Sequence, residues 1–390
     1  MKKITDFNLK KKRVILRCDL NVSIKDGKII DDNKIKTSLK TINYILDQDA
    51  KLIIMSHLGR VKTEKDKKDN DMKIVYERLN ELLPNKVKFV NETNPKKIEK
   101  YAKTMDFGTA LLIQNTRFED IKGNKESGCN KTLSKNWSRL GNIFINDAFA
   151  TIHRKHASNY GIASYLESGI GFLMMEEIEN LNKLDNPKRP YVVIMGGSKI
   201  SDKIGIIKSL IRQADYILIG GAMSYTFLKA KGYEIGKCMH EEEEIKYCEY
   251  LLSHYKDRII LPIDLKGSLN KINEEEVITQ KVEEITTDFI GLDMGPKTIK
   301  KYKEILKETK TIFWNGPIGA YEYEPFRKGT KDILKYAKDN VETVIIGGGD
   351  IVGCSNLLGY TKDLTFASTG GGATLKYLED HNQPGLKNME

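Results

Sequence analysis

The chain is predicted to be α/β, with two doubly wound parallel-sheet domains joined by a hinge helix, and three observations carry that prediction. Nine short apolar runs recur: KRVILRCDLNV, KLIIMSHLGR, TALLIQNTRF and NIFINDAFA in the first half, and YVVIMGGSK, YILIGGAM, TIFWNGPIG, TVIIGGGD and TFASTGGGA in the second. Most are continuous apolar strings rather than apolar–polar alternations, the pattern of strands covered on both faces. Segments of helical period lie between them, so strand and helix alternate, as in a Rossmann-like arrangement. The runs also end in a different set of residues in each half, which predicts two pockets on two similar scaffolds.

In order along the chain, the first four runs deliver Arg17, Asp19, Asn21, His57, Arg60, Arg117, Asn146 and Asp147, residues suited to anions and hydroxyls. Within IKTSLKTINYILDQDA, Ile35, Leu39, Ile42 and Leu46 fall on one helical face. The stretch 170–189 reads as a polar helix ended by Pro187, with Pro190 opening the next strand. It is expected to be the hinge between an N-terminal domain, 1–169, and a C-terminal domain, 190–372. A polar tail, about 373–390, is expected to pack back on the first domain. The five runs of the second half deliver glycines, with Lys199, Asn315, Asp350 and Thr369 among them. After GGSK, Ile200, Ile204, Ile207 and Ile211 again share a face. In doubly wound sheets ligands sit beyond the carboxyl ends of the strands, where all these clusters fall.

A chain of 390 residues exceeds one ordinary core, and 40% hydrophobic with 30% charged residues is a soluble globular composition. The net charge of +10 fits a solubilising lysine-rich surface or attraction of small anions. Nucleic acid is disfavoured as a partner, because the lysines are dispersed and the densest stretch, 62–68, is interrupted by Glu64 and Asp66. That stretch and the acidic run 241–244 are read as solvated surface. Five cysteines, Cys18, Cys129, Cys238, Cys248 and Cys354, show no CxxC spacing, which predicts a reduced, cytoplasmic protein without a disulfide framework or zinc site. The basic start MKKITDFNLKKKR is not a secretion signal, and no run approaches the roughly 18 apolar residues of a membrane span.

Five glycine clusters in one domain point to phosphate loops, where backbone N–H groups approach the anion and a following helix N-terminus adds a favourable dipole. None matches GxxxxGK[ST], and GGGDIVG does not satisfy GxGxxG. Lys199 and Lys203, four apart at an expected helix start, would share a face near the glycine turn and neutralise a transferring phosphoryl group. Asp350, directly after three glycines, would repel phosphate unless Mg²⁺ lay between them. Asn315 and Pro317 in WNGP fit either a turn or a ligand contact. In the first half Arg17, Arg60, Arg117 and Arg154, with His57 and His153, predict a site for a multiply charged anion, since arginine binds carboxylate and phosphate bidentately. His156 is read as packing locally.

These residues resemble phosphoglycerate kinases over essentially the whole chain. The matching blocks are RCDLNV, SHLGR, NTRF, DAF followed by HRKHAS, GGSKISDK, GGAMSYTFL, LPID, DMGP, WNGPIG, GGGD and STGGGA. The resemblance implies reversible, Mg-dependent phosphoryl transfer between 1,3-bisphosphoglycerate with ADP and 3-phosphoglycerate with ATP, in glycolysis, with domain closure and a monomeric cytoplasmic enzyme. It implies that Asp19, Asn21, His57, Arg60, Arg117 and Arg154 hold phosphoglycerate. It also implies that Gly197, Lys199, Lys203, Gly220, Asn315, Glu322, Gly348, Gly349 and Asp350 serve nucleotide, metal and the transferred group. Lys34 stands where the family usually has an arginine that assists transfer, and Ile351 where it usually has threonine. Ser23, Val61, Gln114, Ala150 and Ile152 also depart from the family pattern. Lys34 and Ile351 motivate an alternative, a binding paralogue with weakened transfer. A dinucleotide-dependent dehydrogenase is a further alternative, opposed by the missing GxGxxG.

Overall fold

The computed structural model describes residues 1–389. Packing divides the chain into two units: Met1–Glu179 with the segment that begins at Asp380, and Asn180–Glu379. No helix among the described residues is long and apolar enough to cross a membrane.

The first unit is built on a six-stranded parallel sheet in the order Val87–Val90, Thr109–Ile113, Lys51–Met55, Arg13–Cys18, Ile143–Asp147, Glu167–Ile170. Its central strand buries Val14, Ile15 and Leu16 completely, which is why that run carries no polar alternation. Register places Arg17 beside Met55 and Asn146, and Cys18 beside Asp147, so the carboxyl ends of three neighbouring strands are level. The helix Asn33–Asp47 buries Ile35, Ile42, Ile45 and Leu46, each worth about 1.5–3 kcal/mol against exposure. A hairpin, Ile24–Lys25 with Lys28–Ile29, turns at Asp26 and Gly27, both at positive φ.

The second unit repeats the plan in the order Ile259–Ile260, Tyr216–Ile219, Tyr191–Met195, Thr311–Asn315, Thr343–Gly347, Phe366–Ser368, again all parallel. It adds an antiparallel sheet of Ile278–Lys281, Asp264–Leu269 and Phe289–Met294. All nine apolar runs are strands of the two parallel sheets.

Three local expectations change. The helix Phe172–Leu181 buries Met174, Ile178 and Leu181, so it is amphipathic rather than polar, and it runs across the division between the units. The expected tail as far as Glu379 instead belongs to helix Gly372–Glu379, where Ala373, Thr374, Tyr377 and Leu378 are buried and Ser209 donates to the Leu378 carbonyl at 3.0 Å. From Asp380 onward the chain belongs to the first unit, where Gly385 N donates to Ile152 O at 2.7 Å and Asn146 Nδ2 to Gly385 O at 2.9 Å. After GGSK a 3-10 turn, Ser201–Lys203, precedes helix Ile204–Leu210, so Lys199 lies in a loop ahead of any helix and does not share a helical face with Lys203.

Candidate active site

In the first unit the level strand ends gather a cationic cluster. Arg17 is buried to 1% exposure, and its guanidinium is fully engaged: Nε donates to Ser158 Oγ at 2.9 Å, Nη2 to His57 Nδ1 at 3.0 Å, and Nη1 to the Cys18 carbonyl. Burial, reinforced by Arg17, Arg117, Lys34 and Arg154, holds the His57 imidazole well below its ordinary value, so it is neutral at pH 7. Its Nδ1 accepts from an arginine, which leaves the proton on Nε2. Asp19 accepts from Lys34 Nζ at 2.7 Å, and Asn21 Oδ1 accepts from Gly59 N at 2.7 Å. Arg117 Nη1 donates to Gly59 O at 2.7 Å, while its buried Nε has no hydrogen-bond partner among the described residues. Arg154 Nε donates to His153 Nε2 at 3.1 Å, and Arg60 is exposed. His156 is buried, and burial with the surrounding arginines drives it down to about 3.

In the second unit the glycine loops behave in two ways. Gly196 N donates to Asn315 O at 2.9 Å, Gly197 N to Pro317 O at 2.8 Å, Gly220 N to Met195 O at 2.8 Å and Gly221 N to Ile318 O at 3.1 Å. Those N–H groups join loop to loop and are not available to phosphate. The glycines there permit contact: a Cβ on Gly196 would lie 2.1 Å from Pro317 O, and one on Gly220 2.5 Å from Ile318 Cγ2. By contrast a Cβ on Gly349, Gly371 or Gly372 would meet nothing within 4 Å, and helices Gly349–Leu357 and Gly372–Glu379 start there. The last two clusters are thus the ones whose glycines open a helix with free space beside them.

Lys203 sits behind the first loops, 9% exposed, donating to Asn315 O at 3.1 Å and to Asn315 Oδ1. Burial lowers it to about 8, against the pull of Asp350 and Asp202. Asn315 Nδ2 in turn donates to Gly347 O, tying Lys203 to the loop that carries Gly348, Gly349 and Asp350. In front lies a cavity of about 400 Å³ lined by Gly197, Gly221, Tyr225, Ile290, Glu322 and Asp350 among others. Gly220 and Asn315 do not line it, and Lys199 is exposed. The acidic run does more than face solvent: Glu241 accepts from Ile200 N at 2.6 Å, from Ser201 N at 3.1 Å and from Ser201 Oγ, fixing the turn that leads to Lys203. Ile290 carried no signal in the sequence, because it stands at the end of no apolar run, while Tyr225 was visible only within the block GGAMSYTFL and Glu241 only as part of an acidic run.

A cationic cluster and a glycine-walled cavity, each at the carboxyl ends of a parallel sheet, can bind an anion and a nucleotide. A family profile described as phosphoglycerate kinase matches residues 4–381. The chain belongs to the phosphoglycerate kinase family. The phosphoglycerate kinases of Macrococcus caseolyticus (strain JCSC5402) and Listeria innocua serovar 6a are each 46% identical to it over 390 residues, covering 100% of this chain and 98% of the relative. Among solved structures, phosphoglycerate kinase from Coxiella burnetii superposes with a TM-score of 0.89 at 34% identity, covering 100% of this chain and 98% of that one. The enzyme from Pyrococcus horikoshii OT3 gives 0.85 at 30% identity with the same coverage. Membership of the phosphoglycerate kinase family makes the chain a phosphotransferase, and neither a binding paralogue nor a dehydrogenase is favoured.

Two departures from the family pattern have a physical account. Gln114 donates to Asp71 Oδ1 and Asn91 Oδ1, each at 2.9 Å, and accepts from Met72 N at 2.9 Å and Asn115 N at 2.8 Å. A glutamate would lose both donors and face Asp71. Ile351 is fully buried on helix Gly349–Leu357, where it packs as a core residue. Among the described residues no group of three or more His, Cys, Asp or Glu is arranged to hold a metal ion.

Proposed function

We propose that this phosphoglycerate kinase transfers a phosphoryl group reversibly between 1,3-bisphosphoglycerate with ADP and 3-phosphoglycerate with ATP, in the cytoplasm. The observation that carries the reading is Lys203: a lysine kept in a dry site beside a glycine-walled cavity is an expensive charge, and phosphate oxygens give it a use. Asp19, Asn21, His57, Arg60, Arg117 and Arg154 would hold phosphoglycerate, with Arg117 Nε and His57 Nε2–H as ready donors. Lys34, Lys199 and Lys203 would offset charge on the transferring oxygens. Gly197, Glu322, Gly348 and Gly349 would form the nucleotide side, with Gly220 and Asn315 behind it fixing the loops and Lys203.

Asp350 is an exposed carboxylate on the cavity, and a single carboxylate suits Mg²⁺ that arrives on nucleotide phosphates and keeps its waters. Asp350 would hold the ion, which when bound would offset negative charge on the phosphates. No general base is required, because the accepting carboxylate of 3-phosphoglycerate is already ionised at neutral pH. Catalysis then rests on positioning and on cations.

The test is phosphoryl transfer from Mg-ATP to 3-phosphoglycerate by the purified chain. Transfer that is lost in Lys203→Ala supports the reading. A folded protein that binds both ligands without transfer would sink it in favour of a binding paralogue.

A further inference from the structure

Behind the cationic cluster lies a buried carboxylate that no substrate contact accounts for. Glu126 is 0% exposed in a stretch, GNKESG, that has neither apolar periodicity nor a strand end. Its Oε2 accepts from Ser158 N at 3.0 Å and its Oε1 from Ser158 Oγ. The same Ser158 Oγ accepts from Arg17 Nε at 2.9 Å, and Arg17 Nη2 donates to His57 Nδ1 at 3.0 Å. Each step has one possible direction. A guanidinium only donates, so Ser158 Oγ and His57 Nδ1 must both accept, and the Ser158 proton is left for Glu126.

We propose that Glu126, acting through Ser158 and Arg17, is a positioning residue that fixes His57 as the Nε2–H tautomer and so presents one oriented donor to the anionic substrate. This rests on the reading of the cluster as the phosphoglycerate site.

Two features support it. Arg17 is surrounded by Arg117 and Arg154, and a buried guanidinium among cations would not hold its place without a counter-charge; Glu126 is the strongest such influence on it, ahead of Asp19. Burial lifts the Glu126 carboxyl, and Arg17 with the two Ser158 donors opposes that lift. The other groups facing Glu126 are committed elsewhere or uncharged: Asp120 accepts from Ser127 N at 2.8 Å and from Ser127 Oγ, and His156, whose Nδ1 stands 3.8 Å away, is held neutral by burial and the arginines. A neutral imidazole without such a tether exchanges tautomers, and the Nδ1–H fraction of its population would then present an acceptor, Nε2, to phosphate or carboxylate.

The experiment reads the tautomer directly. In ¹⁵N-labelled protein, the His57 imidazole signals, assigned by their loss in His57→Gln, should show Nδ1 unprotonated and Nε2 protonated. Glu126→Gln and Ser158→Ala should each mix the tautomers and raise KM for 3-phosphoglycerate by the inverse of the Nε2–H fraction that remains, about twofold at equal populations. KM for Mg-ATP should stay at its wild-type value in both, which a general loss of structure would not allow. Should Glu126→Gln fail to fold, Ser158→Ala breaks the relay while the carboxylate stays in place. Wild-type tautomer and KM in the folded variants would overturn the proposal, as would Nδ1–H in the wild type. An unchanged KM for 3-phosphoglycerate in His57→Gln would overturn the site assignment itself, even if the tautomer shifts were seen.

Discussion

Lys203→Met separates the cost of a buried charge from its use. Burial lowers the lysine from 10.5 to about 8, so keeping it charged at pH 7 costs the folded protein ~3 kcal/mol. Methionine fills a similar volume without that cost. Against this, Asn315 Oδ1 loses its donor, a loss of about 1–3 kcal/mol for a buried acceptor. The net is a stability unchanged or raised by up to about 2 kcal/mol, so Tm should hold or rise. Activity should move the other way: removing one preorganised positive donor costs about 10²–10³ in kcat. Thermal unfolding and steady-state transfer of the same two proteins at pH 7 check both halves. The wild-type pH dependence gives a third reading. The folded value lies below the unfolded one, so between about pH 8 and 10.5 the folded chain binds fewer protons and stability rises. Over the same range kcat/KM should fall as Lys203 loses its charge. A variant that melts several degrees lower and keeps kcat within about threefold would refute the reasoning, since Lys203 would then be a structural residue.

Three further outcomes follow from individual contacts. Lys34→Arg restores a planar fork opposite Asp19, now met by a single ammonium at 2.7 Å, and should raise kcat about tenfold in steady-state assays with little change in KM for Mg-ATP. Asp147, buried and accepting from Met174 N at 3.0 Å, is raised by burial to about 6 from 3.8, so stability should fall by ~3 kcal/mol as pH rises through that window. Asp147→Asn should flatten that fall in urea titrations at pH 4, 5 and 7, and an unchanged slope would assign it to another group. Gly316→Ala puts a Cβ 2.5 Å from Gly196 O at a φ of +84°, and should raise KM for Mg-ATP about tenfold while leaving KM for 3-phosphoglycerate alone.

The interior of both sheets was legible because a strand covered on two faces needs an uninterrupted apolar string, as Val14–Leu16 and Tyr191–Met195 show. Three of the four edge strands escaped. Val87–Val90 exposes Lys88, and Ile259–Ile260 has two residues. The antiparallel sheet escaped for the opposite reason, since Ile278–Lys281 and Phe289–Met294 alternate between inner and outer faces and form no run. The strand-end residues of the site were legible as positions. Their partners were not: Arg17, His57, Glu126 and Ser158 meet only because the register of three parallel strands and two following loops brings them together. The glycines were legible as a group but not by task. Composition cannot distinguish a glycine that lets another backbone approach, as Gly196 does, from one whose helix start stands open, as Gly349 does.

The two units keep positive charge ready for anions by different means. In the first, Arg17 is held by Ser158 and the nearby Glu126 charge, and burial together with the surrounding cations keeps His57 neutral, so on the proposed function Arg117 Nε and His57 Nε2–H would be donors to the ligand. In the second, Lys203 has no carboxylate within ion-pair distance among the described residues and is held by the neutral oxygens of Asn315. A charge solvated by fixed dipoles alone gains more from an arriving phosphate than one already neutralised, because the interaction is made in a dry site and no existing ion pair has to be broken. That difference suits the division of labour. On the proposed function the first unit would recognise a small anion by the direction of its donors, whereas the second would answer charge that builds up on the transferring oxygens.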